Sequence, residues 1–503
     1  MNRPLAALLC LAALWAEPGF AQHNAPEAVA PDKERGEQTA ADYAAQGRAQ
    51  LEARLAAPVN QGKAKNLIIF IGDGMGVSTL TAARIWQGQK AGRDGESTET
   101  AIDAMPYSAL IKTYSHDFQV ADSAATASAI VTGIKTRSGM LSVTPVAQRG
   151  RCETASGQDV PTLFEQAGAA GKQLGLISTA RITHATPASA YSHSVDRNWE
   201  SNSELPAGAT CHDIARQLVE WSQSSQLKLV LGGGRTAFYP KDQSDPEYAD
   251  KKGNRTDGRN LVAEWKKKHP KGQYIWNAAQ FGALDANADA PVLGLFEPSH
   301  MQFEADRASD KAGEPSLAEM TALAITRLGS ADKGYVLMIE GGRIDHAHHG
   351  GNAHRALDDT VAFEAAIARA LEMVDLEDTL VLVTADHSHV FTIAGYPPRG
   401  TSIFGLASVT EDGEPVNAKD GKPYTTLGYA NGPGAKVAGP RNDPSQEDTE
   451  ALNYQQQATV PTSGETHGGE DVVLKAAGPS AHLFHGTLEQ HSIYHIAKHI
   501  LGF

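Results

Sequence analysis

The chain has 503 residues, of which 41% are hydrophobic and 20% charged, and carries a formal net charge of −15 at pH 7. That acidic balance argues against a nucleic-acid or anionic-membrane surface as its main partner. An anionic substrate would need local positive charge, from metals or a placed arginine.

Residues 1–21 combine Arg3, an apolar stretch over 5–15 and Gly19-Phe-Ala21 before Gln22, the three regions of a secretory signal peptide. That stretch is too short to span a bilayer and no later segment is long and apolar enough, so no transmembrane segment is expected. The mature protein is expected to be periplasmic or secreted. Residues 22–41, polar and Ala/Pro-rich, are read as a flexible leader, and the near-helical spacing of Tyr43, Leu51 and Leu55 places a helical arm over 42–57. Candidate ligands run from Asp73 to His467 and must converge if they share a metal site, so 42–503 is read as a single domain.

From residue 66 to about 395 continuous apolar runs alternate with helical patterns. This argues an α/β fold with a central, largely parallel sheet flanked by helices on both faces. In such sheets ligands collect where strands end, and the polar residues of this chain sit there. The run at 66–71 enters Gly72-Asp73-Gly74. An Asp among the amides would repel a phosphate, so the turn is read as metal-binding rather than dinucleotide-binding. The stretch 121–129 reads as a helix with Ser123 in its first turn, where unpaired N–H groups suit an alkoxide or a phosphate. An ordinary Asp-Ser cap on a packing helix is the alternative.

Cys152 and Cys211 are an even pair in an exported chain and are read as a disulfide, with two buried free thiols as the alternative. The run at 172–178 leads to Thr183-His184-Ala-Thr186, and 242–258 is read as a surface excursion. After the run at 335–339 come Glu340, Asp345, His346, His348 and His349 within ten residues, a cluster costly to desolvate without a cation. Residues 354–374 are patterned as a helix with Phe363, Ile367, Leu371 and Val374 on one face. The run at 378–385 ends in Asp386-His387, the Gly/Pro/Asn-rich stretch 401–463 reads as an insertion, and His467 precedes the run at 472–474. No role is assigned to His348, His354 or His389.

Taken together, Gly72-Asp73-Gly74-Met75-Gly76, Asp122-Ser123-Ala-Ala-Thr-Ala127, His184-Ala-Thr186-Pro187, Arg197-Asn-Trp199, Glu340-Gly-Gly-Arg-Ile-Asp345-His346, Thr384-Ala-Asp386-His387-Ser-His389 and Glu465-Thr-His467-Gly-Gly-Glu-Asp471 resemble the alkaline phosphatases, specifically the animal-type branch. The resemblance runs from about residue 66 to the C-terminus. It implies one zinc on Asp345, His349 and His467, a second on Asp386 and His387 with a bridging Asp73, and a magnesium on Asp73, Thr186 and Glu340. Imidazole and carboxylate ligands suit catalytic zinc, and an oxygen-only set suits magnesium. Ser123 would attack a phosphate monoester while Arg197 grips the non-bridging oxygens, and the phosphoserine would be hydrolysed at the Asp345/His349/His467 zinc.

The resemblance also implies a homodimer, with 401–463 as the family's crown-like contact region. It implies a calcium site at Glu247, Phe296 and Glu297, with Glu314 where that branch supplies an Asp. The chain departs from the enteric bacterial pattern at His184 and His346, where that branch carries Asp and Lys. Imidazoles there, beside the phosphate or the magnesium, are expected to ease phosphate release at alkaline pH. A phosphodiesterase or sulfatase of the same superfamily is the runner-up. A catalytically idle metal- or phosphate-binding scaffold is the reading from another class, and the presence of every expected catalytic residue argues against it.

Overall fold

The computed structural model describes residues 39–407 and 414–503. The stretch read as a signal peptide and all but the last three residues of that read as a leader lie outside them. Helix α1 (Ala40–Ala56) opens on a capping box, in which Thr39 accepts from the Asp42 N–H and Asp42 accepts from the Thr39 N–H. It begins within the stretch read as leader, because the cap lies at Thr39. The helix belongs to a unit separate from the body, which runs from Val59 to Phe503.

In chain order the body contributes β1 (Asn66–Gly72), β2 (Tyr107–Lys112), β3 (Gln173–Arg181), β4 (Leu227–Gly233), β5 (Gln273–Ile275), β6 (Val292–Leu295), β7 (Tyr335–Gly341) and β8 (Thr379–Ala385). Short strands follow: β9 (Ser388–His389), β10 (Phe391–Ile393), β11 (Leu427–Gly432), β12 (Ala458–Pro461) and β13 (His467–Gly468). The chain then returns to the main sheet through β14 (Val472–Ala477) and β15 (Gly486–Glu489). The ten-stranded sheet has the order β15-β2-β14-β8-β1-β7-β3-β4-β6-β5. Its neighbours are parallel except β14, which runs antiparallel to both β8 and β2.

Every residue of β1, β7 and β8 is buried, as expected of Val/Ile/Leu runs in a sheet covered by helices. In β2 only Ala109 and Ile111 are buried, the alternation of a strand covered on one face. Pairing puts Ile71 beside Glu340 and Thr384, and Glu340 beside Ser178. Asp73, Glu340 and Asp386 therefore leave the sheet at one edge.

The helix patterned over 354–374 spans Ala353–Met373, and its Phe363 meets Phe70 edge-on at 5.8 Å between ring centroids. Strands β11 and β12 lie within the 401–463 insertion; β11 pairs with β10 on one side and with β12 on the other. Their Leu427 and Tyr429, with Phe404, pack against Ala82 and Ala83 of α2 (Val77–Lys90). The stretch 242–258 is no mere surface excursion: Asp245 is buried against Arg235, and Arg255 is fully buried against Asp213. Both partners lie at least ten positions away, so local composition could not show the pairing.

The same helix buries Glu364, whose Oε1 accepts the Ile102 N–H in α3 (Ala101–Ala104) at 3.0 Å. Burial raises this carboxyl from 4.5 to about 7. The raised value means that stability is fully present below the unfolded pKa and is lost as pH rises through the folded one. Glu364→Gln should match the parent closely at pH 4 and exceed it by about 1–3 kcal/mol at pH 8 in urea unfolding; a gap independent of pH would refute the assignment.

Candidate functional site

Ser123 is the first residue of α4 (Ser123–Thr132), and Asp122 is its N-cap. The Asp122 carboxylate does more than cap. One oxygen accepts the Gly139 N–H at 2.9 Å, and the other accepts from Arg197 Nη1 at 2.9 Å. The Arg197 fork is thereby fixed beside the serine, with Nη2 3.0 Å from His184 Nε2. The Cys152–Cys211 disulfide, with Cα atoms 5.6 Å apart, lies at a small core of Met140, Val143, Ala147, Val195 and Trp199 that backs the segment bearing Arg197.

The turn after β1 needs Gly74, whose φ is 68°. An added Cβ would fall 2.4 Å from the His389 ring. This turn aims Asp73 at Ser123, whose Oγ stands 3.4 Å from Asp73 Oδ1 and 3.1 Å from His387 Nε2. Asp386 accepts the Gly74 N–H at 3.0 Å and the Thr126 hydroxyl at 3.2 Å. Burial raises Asp73 well above the carboxylate range, and Asp386, Asp345 and Glu340 raise it further. Burial also pushes Glu340 up to about 7, although Ser178 donates to it.

Asp345 and His349 lie one turn apart on the helix Arg343–His349. The antiparallel pairing of β13 with β9 sets His467 across from His389. His349 Nδ1 donates to the Glu465 carbonyl at 2.6 Å and His467 Nδ1 to that of Ala121 at 2.8 Å. Each Nε2 is then a bare lone pair, and the two face each other at 3.2 Å beside Asp345. Lone pairs opposed beside a carboxylate are unfavourable unless a cation sits among them.

Among the described residues, three groups at this edge could hold metals: Asp345, His349, His389 and His467, of which His349 and His467 are half-buried; Asp73, Asp345 and His387; and Asp73, His184 and Glu340. In the last region Asp73 Oδ2, Thr186 Oγ1 and Glu340 Oε1 are buried without a hydrogen-bond partner. The donor sets fit: imidazole and carboxylate in the first two groups, carboxylate and hydroxyl oxygen around Thr186. The structure thus brings together Asp73, Ser123, His184, Thr186, Arg197, Glu340, Asp345, His346, His349, Asp386, His387 and His467.

Sequence reasoning missed His389. Its Nε2 lies 2.8 Å from Asp345, and its Nδ1 meets Glu465. Burial opposes protonation, but the two carboxylates outweigh it and raise the imidazole to about 9. The strand-like spacing of His387 and His389 was the available signal. Also missed was His300, whose ring lies tilted against that of His346 with centroids 4.0 Å apart. Burial, with Arg343 and Arg181, holds His346 down at about 3 against the pull of Asp345. Ser123, Arg197, His184 and His346 line a cavity of about 350 Å³, together with Arg181, Asn198 and Glu200.

A second acidic group joins Glu247 and Glu297 to Asp310, a residue the sequence did not single out. Both Asp310 oxygens are buried without a partner. Glu314 lies outside that group. Its Oε1 accepts the Gln302 N–H at 2.9 Å, and burial with Glu297 raises it to about 9. The Phe296 carbonyl accepts from Arg235, which also donates to Glu247 at 2.7 Å.

A serine at a helix N-terminus, a clamped arginine and buried carboxylate–imidazole groups, all at the carboxyl edge of a mostly parallel sheet, mark a metal-dependent hydrolase of the α/β class. The chain belongs to the alkaline phosphatase family, whose model, described as "Alkaline phosphatase", matches residues 64–503. The tissue-nonspecific alkaline phosphatase of Felis catus is 47% identical over 448 residues, 87% of this chain and 84% of that one. The alkaline phosphatase of Gadus morhua is 46% identical over 446 residues, 87% of this chain and 91% of its own. The crystal structure of Thermus thermophilus alkaline phosphatase superposes with a TM-score of 0.63 at 25% identity, covering 90% of this chain and 94% of that chain. This protein is a metal-dependent phosphomonoesterase. Among the described residues no helix is long and apolar enough to cross a membrane.

Chelating divalent metal at pH 8 should lower the unfolding midpoint by about 5 °C or more, with recovery on adding zinc and magnesium. An unchanged midpoint in calorimetry would mean that the buried charges are balanced without a cation.

Proposed function

We propose that the enzyme converts phosphate monoesters to an alcohol and inorganic phosphate through a phosphoserine on Ser123, with two zinc ions and one magnesium resident. The observation that carries this reading is the position of Ser123 Oγ. It opens into the cavity between the Arg197 fork and the buried carboxylate–imidazole groups, 3.1 Å from His387 Nε2.

Asp345, His349 and His467 would hold one zinc; Asp73, Asp386 and His387 the other; Asp73, Thr186 and Glu340 the magnesium. Bound there, the metals supply the positive charge that lowers the proton affinity of the attacking oxygen and steadies the leaving one. Arg197 receives the non-bridging phosphate oxygens. Because Asp122 already holds the guanidinium, little ordering remains when substrate arrives. The N–H groups at the start of α4 face the same phosphate. Ser123 Oγ displaces the alcohol from phosphorus, and water then releases phosphate from the serine.

Calcium suits the oxygens of Glu247, Glu297 and Asp310. The Phe296 carbonyl is engaged by Arg235 and would join only if that arginine shifted. Export after signal cleavage and a homodimer built through the 401–463 region complete the reading.

Monoester turnover at pH 7–10 by the zinc- and magnesium-loaded protein should fall at least about 10³-fold in Ser123→Ala. Dominant phosphodiester cleavage in the parent would move it to the diesterase class. A second outcome concerns phosphate release: His346→Lys, which sets a fixed cation beside the site, should bind inorganic phosphate about tenfold more tightly by calorimetric titration. Unchanged affinity would remove His346 from the control of release.

A further inference from the structure

The cavity above Ser123 is lined by polar and charged residues, so it offers little apolar surface to grip the alcohol of a substrate. Discrimination between leaving groups must then come from charge. Two residues on its wall, neither used in the chemistry above, carry such charge. Arg181 ends β3, and Glu200 lies three positions beyond Arg197.

Arg181 Nε and Nη2 donate to the two oxygens of Glu200 at 2.8 and 2.6 Å. The third guanidinium nitrogen, Nη1, is taken up by Ser299 Oγ at 3.3 Å and by His300. The Thr183 hydroxyl also donates to Glu200, at 2.5 Å. The side chains retain 26% and 13% exposure, so the pair faces the cavity rather than the core. The other lining arginine, Arg197, is balanced by Asp122. Arg181 is therefore the one guanidinium on this wall not committed to the phosphate being transferred, and Glu200 occupies its bidentate face.

We propose that Glu200 is a specificity-determining positioning residue: by holding Arg181 it denies a second anionic group a bidentate partner, and so biases the enzyme toward monoesters of neutral or cationic alcohols and against pyrophosphate. This rests on the phosphomonoesterase reading. The displacement is the same in each case, with the P–O bond to Ser123 forming and the bond to the leaving oxygen breaking; with pyrophosphate the leaving group is phosphate itself.

The test measures kcat and KM of the metal-loaded full-length enzyme on glycerol phosphate, ethanolamine phosphate and pyrophosphate. Relative to glycerol phosphate, kcat/KM for pyrophosphate should rise about tenfold in Glu200→Gln, mainly through KM, as expected of one uncancelled charge across a partly wet pocket. Glu200→Asp should restore most of the parental ratio. Arg181→Gln should shift the preference about tenfold toward ethanolamine phosphate, and the double variant Arg181→Gln/Glu200→Gln should return close to the parent because its wall is again neutral. Ratios within twofold of the parent in both charge-changing variants would overturn the proposal, as would an equal loss on all three esters. A parent that cleaves none of them would instead sink the phosphatase reading.

Discussion

Everything in this molecule depends on the crowding of ionisable groups at the carboxyl edge of β1, β7 and β8. Asp73, Glu340, Asp345 and Asp386 are almost fully buried, with His387 and His389 among them. Such a cluster cannot be carried as bare charge in a protein interior. Burial already drives Asp73, Glu340 and Asp386 toward their acid forms, and the lone pairs of His349 and His467 confront each other. The fold holds these groups in place at the ends of fully buried, paired hydrophobic strands. The site is thus unfavourable by itself and becomes favourable with cations, a common design for metal centres that must stay rigid.

Rigidity extends outward through ordinary devices. Asp122 serves as helix cap and as anchor for Arg197. The β9–β13 pairing orients two histidines, and backbone carbonyls fix the tautomers of His349 and His467. The disulfide secures the loop region bearing Arg197. Each device acts on a side chain that the proposed chemistry uses, so precision at the serine is distributed over elements from all parts of the chain.

Much of this was legible in the sequence, for a physical reason. Strands covered on both faces must be continuously apolar, so 66–71, 335–339 and 378–385 announced themselves, and the ligands followed at their ends. The helix over 353–373 was equally plain from its periodicity. His389 was not, because a histidine is ambiguous until its neighbours are known, and its neighbours Asp345 and Glu465 are 44 and 76 positions away. The same holds for Arg255, whose composition suggested surface although its partner Asp213 is buried with it. Asp310 joins Glu247 and Glu297 in one acidic group, a grouping that depends on backbone turns that composition does not reveal. Local pattern shows elements; long-range polar pairing shows itself only in space.

The position of β14 sets a timetable for the chain. It lies antiparallel between β8 and β2, yet it is nearly the last strand to be made. Until residues 472–477 emerge from the ribosome, β8 keeps an unpaired edge and β2 has no neighbour on that side. His467, just upstream, has not yet arrived either. The sheet therefore closes and the centre gains its last imidazole in the same late event, and a chain cut short before that point is left with an open strand edge prone to association.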